Sequence, residues 1–145
     1  MLARRLLIFS RQFVNFTPVI RRQFADSASQ TKTVKFISGN KEFVGKGKVG
    51  DTLLDVVVNN DLDLDGFGAC EGTLACCTCH VILNEKHFER EDRTNPAGEE
   101  ELDLLDLAPE VSDRSRLGCQ IKIMEDDPEV IEVRVPSVTK DQRSA

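Results

Sequence analysis

The chain has 145 residues, 40% of them apolar and 30% charged, with a formal net charge of −6. That length holds one domain and at most a tail, and the composition is that of a globular protein, not a disordered tract, a collagen or a coiled coil. The acidic balance argues against a phosphate backbone as the main partner, and no stretch approaches the ~18 apolar residues needed for membrane insertion.

The charge is unevenly distributed. Residues 1–25 contain five arginines (Arg4, Arg5, Arg11, Arg21, Arg22) and no Asp or Glu, so the remaining chain is strongly acidic. Arg, Ser and scattered apolar residues without acids make up the composition of a mitochondrial transit peptide. Leu6 to Phe9 is too short an apolar core, and too closely flanked by Arg, for a secretory signal. Arg22-Gln23-Phe24 before Ala25-Asp26-Ser27 reads as a matrix-processing site. The expectation is a cleaved transit peptide over residues 1–30, a folded domain over 31–136 and a polar tail over 137–145.

The domain opens with Thr33–Ile37, which alternates like a strand, and Ser38-Gly39-Asn40 is turn chemistry. Glu42–Val49 reads as the return strand, weakened by Gly45 and Gly47. Asp51 or Thr52 suits a helix N-cap, and Leu53, Leu54, Val57 and Val58 form the expected buried stripe. A Gly- and Cys-rich loop spans Asp61 to Thr78. Cys79–Leu83 reads as a strand. Asn84–Gly98 is polar and predicts mostly loop with one helical turn. Glu99–Leu107 predicts a helix ended by Pro109. Cys119–Ile123 and Val130–Val135 alternate like a final strand pair. The fold class is α+β.

The five cysteines are Cys70, Cys76, Cys77, Cys79 and Cys119. Disulfides fit poorly with an odd count and a reducing compartment. Zinc generally takes two short paired motifs, and here one cysteine stands alone, far beyond Cys79. Three close thiols plus one distant thiol is how [2Fe–2S] ferredoxins supply four ligands, although the first gap is one residue longer than the C-x4-C-x2-C spacing. The interleaved glycines Gly66, Gly68 and Gly72 let backbone N–H groups turn inward toward an anion.

Two segments, Cys70-Glu-Gly-Thr-Leu-Ala-Cys76-Cys-Thr-Cys79-His80 and Asp113-Arg-Ser-Arg-Leu-Gly-Cys119-Gln120, closely resemble the adrenodoxin-like (vertebrate-type) mitochondrial [2Fe–2S] ferredoxins. Gly50-Asp-Thr-Leu-Leu-Asp-Val-Val-Val and Leu102-Asp-Leu-Leu-Asp-Leu-Ala share the resemblance, which runs from about Val34 to Pro136. It implies a β-grasp fold, a mixed sheet crossed by a helix with the cluster loop at one edge. It implies one [2Fe–2S] cluster on Cys70, Cys76, Cys79 and Cys119. Cys77 stands where the family commonly has Ser, and is expected to be a spectator thiol. Pro109 stands where a family Tyr is common.

The predicted helix after Gly98 carries Glu99, Asp103 and Asp106 on one face, with Glu100 beside them, Glu101 further round, and Leu102, Leu105 and Ala108 on the opposite arc. A concentrated acidic face speeds encounter with a basic partner and weakens with salt. The resemblance implies docking there of an NADPH-dependent FAD ferredoxin reductase and of a mitochondrial cytochrome P450 or the iron–sulfur assembly machinery. By the same resemblance His80 ties the cysteine loop to this helix. His87 is expected at the surface. Arg114 and Arg116 suit either hydrogen-bond struts or charge balance. The expected function is that of a monomeric one-electron carrier of the mitochondrial matrix, not an enzyme. The alternatives are a zinc-stabilised acidic protein-binding module and a redox sensor using Cys77.

Overall fold

The structure, a computed structural model, describes residues 30–137, so the expected transit peptide (apart from residue 30) and the tail beyond Ser137 lie outside the described residues. Strands β1 (Thr31–Ser38) and β2 (Lys41–Lys48) pair antiparallel across Gly39-Asn40. Alternation along β1 buries Val34 and Phe36. The two glycines of β2 are explained by close approach. A Cβ on Gly45 would lie 2.8 Å from Val56 Cγ1, and one on Gly47 would lie 2.5 Å from Val56 Cγ2. Their absence of side chain lets helix α1 (Leu53–Asn59) rest directly on the hairpin.

Thr52 caps α1 in a reciprocal box. Its hydroxyl accepts from the Asp55 N–H at 3.0 Å, and the Asp55 carboxylate accepts from the Thr52 N–H at 2.9 Å. At the other end, Asn60 accepts from the Lys46 N–H at 3.1 Å and donates to its carbonyl at 2.9 Å. The buried stripe is Leu53, Leu54, Val56 and Val57, whereas Val58 is 64% exposed. This corrects the expected stripe: at 100° per residue Val58 falls beyond Leu54, past the rim of the buried arc.

Four more elements follow the cysteine loop before the last strand: β3 (His80–Leu83), α2 (Glu85–Thr94), α3 (Glu99–Asp106) and β4 (Ser115–Leu117). The last is β5 (Val130–Val135), and the sheet order is β2-β1-β5-β3-β4. β5 runs parallel to β1 and antiparallel to β3, so the sheet is mixed. The fold is the expected α+β β-grasp.

Two expectations fail here. Cys119–Ile123 is not a strand partner of β5; its one ladder contact is a bridge from Lys122 to Thr52. Ile121 and Ile123 alternate inward because they bond the start of α1: the Leu53 N–H donates to the Ile121 carbonyl at 3.0 Å, and the Ile123 N–H to the Asp51 carbonyl at 2.8 Å. The second failure is α2, a full helix where mostly loop was expected. Asn84 caps it, accepting from the His87 N–H at 2.9 Å. Its buried residues are His87 and Glu91, one turn apart, so its inward stripe is polar and leaves no apolar period to read.

Helix α1 serves two apolar clusters. Leu53, Val56 and Val57 pack with Val34, Phe36, Val81, Leu83, Ile131 and Val133 of the sheet. Leu54 turns the other way and packs with Cys77, Cys79, Leu105, Leu117 and Cys119. The second cluster seats the cysteine loop between α1 and α3.

Candidate metal centre

The loop between α1 and β3 is shaped by backbone geometry and local hydrogen bonds. Glu71 (φ +55°), Gly72 (φ +83°) and Leu74 (φ +55°) crowd left-handed conformations into four residues. Such conformations cost energy outside glycine and concentrate where a loop is constrained by function. Gly68 meets two constraints at once: its φ is +73°, and a Cβ there would lie 2.2 Å from Leu54 Cδ1. The Thr78 hydroxyl accepts from the Ala69 N–H at 2.9 Å and lies 3.0 Å from Cys76 Sγ. The Thr73 hydroxyl donates to the Cys70 carbonyl at 2.9 Å.

Cys119 arrives from the turn after β4. The Gly118 N–H donates to the Cys79 carbonyl at 2.8 Å, which fixes the distant cysteine beside the loop. All four spaced cysteines are buried, and none of the five is in a disulfide. Cys70, Cys76, Cys79 and Cys119 lie close enough to influence one another's ionisation. Four buried thiols are the number that two irons need, two apiece.

The thiols are also primed for ligation. Burial pushes Cys70 up, but the Ala75 and Gly72 backbone and the Cys76 and Thr73 side chains outweigh it, bringing the thiol down to about 6. The hydrogen bond from Cys79 lowers Cys119 to about 7 against the effect of burial, with Gln120 assisting. Cys79 is pushed well up by that same bond and by burial. The thiolate is the ligand form, and the surroundings of Cys70 and Cys119 favour it. Inward amides at Cys70 are also what a negatively charged cluster requires. The donor set therefore fits a [2Fe–2S] cluster.

Cys77 is buried at 2% exposure and packs with Leu54, Leu105 and Leu117. It fills space between the loop and α3.

Helix α3 presents Glu99, Glu100, Asp103 and Asp106 to solvent, as expected. Its inner arc differs from expectation. Leu105 is buried, with Leu104 and Ala108 packed beside it, but Leu102 is 50% exposed. The arc is centred on Glu101, which is buried. The Arg116 guanidinium donates to it through Nε and Nη2, and the Leu117 N–H adds a third bond. That pair sets the rotation of the helix. Arg116 is thus a strut, and Arg114 is exposed. His80 Nε2 meets Ser115 Oγ at 2.7 Å, and that hydroxyl accepts from the Ser112 N–H, so the histidine secures the segment that follows α3. His87 is not at the surface. It is buried, 3.8 Å from both Glu91 and Asp127, because α2 closes over the turn before β5. The sequence reading also missed Asn95 and Gln120. The Asn95 amide reaches the Gln120 carbonyl at 2.8 Å, and the Gln120 amide reaches Cys119 Sγ at 3.4 Å.

No protein-family model matches the chain. It is 52% identical over 134 residues to mitochondrial adrenodoxin-like protein 2 of Drosophila melanogaster, covering 89% of this chain and 86% of that one. The chain belongs to the adrenodoxin-type [2Fe–2S] ferredoxins. Mitochondrial adrenodoxin of Bos taurus is 52% identical over 126 residues, covering 83% of this ferredoxin and 64% of the bovine chain. Among solved structures, a mutant of putidaredoxin, an Fe2S2 ferredoxin, superposes with a TM-score of 0.65 at 30% identity, covering 75% of this chain and 100% of that one. Putidaredoxin in covalent complex with putidaredoxin reductase superposes with a TM-score of 0.56 at 29% identity, covering 70% and 97%. This ferredoxin is an electron carrier, not an enzyme, and the Drosophila and bovine relatives are mitochondrial. The zinc-binding alternative has no counterpart among them. No helix among the described residues is long and apolar enough to cross a membrane.

Proposed function

We propose that Cys70, Cys76, Cys79 and Cys119 hold one [2Fe–2S] cluster. When bound, the cluster accepts one electron and gives it up again. The chain contributes four buried thiolates, inward amides that offset the added charge, and an acidic face on the helix packed against the same loop. Glu99, Glu100, Asp103 and Asp106 dock a basic surface of an NADPH-dependent FAD ferredoxin reductase. They then dock that of the acceptor, a mitochondrial cytochrome P450 or the iron–sulfur assembly complex. The carrier works as a monomer in the mitochondrial matrix, after loss of residues 1–30. The ferredoxin-type domain is read as 31–136, with 137–145 as a polar tail.

The observation that carries this reading is the bond from the Gly118 N–H to the Cys79 carbonyl, which sets the distant Cys119 beside the three loop cysteines. The decisive experiment is analysis of anaerobically purified protein. About two irons and two acid-labile sulfides per chain, with brown visible absorption, are expected. Colourless protein without labile sulfide overturns the reading. Import into isolated mitochondria followed by N-terminal sequencing tests the leader; a retained Met1 contradicts it. Reconstitution with reductase, scoring hydroxylation against cluster synthesis, separates the two acceptors.

A further inference from the structure

The thiols differ in where their hydrogen bonds come from. Cys76 is met by the Thr78 hydroxyl, within the loop. Cys119 lies outside the loop. The Gln120 amide donates to its sulfur, with Nε2 3.4 Å from Cys119 Sγ. A cysteine bound to iron has lost its proton, so that sulfur can then only accept. A sulfur ligand has only acceptor character, so the carboxamide must offer it the N–H side.

Gln120 is itself held from α2. Asn95, the C-cap residue of that helix, donates from Nδ2 to the Gln120 carbonyl at 2.8 Å, while its own N–H donates to the Glu91 carbonyl at 2.7 Å. Glu91 is fixed by Arg90 at 2.7 Å, and the same guanidinium grips Asp127 at 2.8 Å. The helix is therefore pinned to the turn before β5, and its last residue is anchored beside the fourth thiol.

We propose that Gln120 is the donor that tunes Cys119, and that Asn95 is the positioning residue that holds Gln120 in place. This rests on the reading of Cys119 as a cluster ligand. Reduction places an added electron on the iron–sulfur core and makes its sulfurs better acceptors. A donor at Cys119 consequently stabilises the reduced form more than the oxidised form and raises the midpoint potential. Helix α2 sets the redox poise of the carrier as well as covering the core.

The test is an anaerobic redox titration of the holoprotein against dyes, with iron and labile sulfide measured on every sample. Gln120→Leu is expected to keep the visible spectrum and to lower the midpoint, by about tenfold in the electron-exchange equilibrium. Asn95→Ala, at an exposed residue bonded to no thiol, is expected to lower it in the same direction by less. The double variant is expected to match Gln120→Leu alone, because both changes act through one bond. An unchanged midpoint in Gln120→Leu, an unchanged midpoint in Asn95→Ala, or additive shifts in the double variant would each overturn the inference. Wild-type protein lacking iron and sulfide instead overturns the ligand assignment, so the two failures are distinguishable.

Discussion

Arg116 grips Glu101 at two points, Nε to Oε1 at 2.8 Å and Nη2 to Oε2 at 3.1 Å, with both side chains buried. The pair joins β4, which leads to Cys119, to α3, which bears the acidic face. Removing one member of such a pair strands the other charge in a dry interior, at a cost of about 3–5 kcal/mol. Glu101→Gln is expected to lower the thermal midpoint strongly and to reduce cluster content. Glu100→Gln, one residue away on the exposed side, is expected to stay within about 0.5 kcal/mol. Calorimetry on both variants checks the contrast.

Gly68 combines a left-handed backbone with direct contact on Leu54. Gly68→Ala is expected to cost about 2–4 kcal/mol, from strain at positive φ plus overpacking, and to lower iron content. Gly39 also has a positive φ, but nothing lies within 4 Å of its missing Cβ. Gly39→Ala should therefore show the backbone cost alone, about 1–2 kcal/mol. Equal losses in the two variants would contradict the role of the Leu54 contact.

Asp106 is exposed on α3 and is not involved in the buried pair. Asp106→Lys is expected to slow reduction by the reductase more than tenfold at low ionic strength, with spectrum and stability unchanged. Wild-type rates should fall steeply as salt rises. Glu132→Lys, on β5 away from α3, serves as the control and should have a small effect. Rates indifferent to salt would contradict the docking face.

Cys77 sits among Leu54, Leu105 and Leu117. Cys77→Ser places a hydroxyl in that apolar setting and is expected to cost about 1–3 kcal/mol while leaving the visible spectrum intact. Loss of the spectrum in that variant would reopen the ligand assignment.

Burial lowers both His80 and His87 from the usual 6.5; Arg90 lowers His87 further, while Asp127 opposes the shift. The unfolded chain therefore takes up protons near that value which the folded form refuses, so stability is lost as pH falls through 6.5. Glu91 acts with the opposite sign. Burial raises its carboxyl, so acidification toward 4.5 favours the folded form through that group. The unfolding midpoint is expected to drop between about pH 7.5 and pH 5.5, and the His80→Asn/His87→Asn double variant should flatten that slope. An unaltered slope would remove the histidines from the account.

What was legible in the chain was local. The thiol spacing from Cys70 to Cys79, the glycines between them, the Gly39-Asn40 turn and the Thr52 cap depend on neighbours a few residues away, and each appears in the structure. The exposed acids of α3 were legible for the same reason, since helical spacing alone places Glu99, Asp103 and Asp106 together. Tertiary contacts decided the rest. β5 enters between β1 and β3 because pairing partners are chosen across the whole chain. Ile121 and Ile123 resemble a strand but bond the start of α1. The inward sides of α2 and α3 centre on Glu91 and Glu101, charged residues that hydrophobic periodicity assigns to solvent. A buried charge is tolerated only where a partner neutralises it: Arg116, fifteen residues from Glu101, becomes that partner only once the chain is folded, and Arg90, adjacent to Glu91, is drawn inward only where α2 packs it against Asp127.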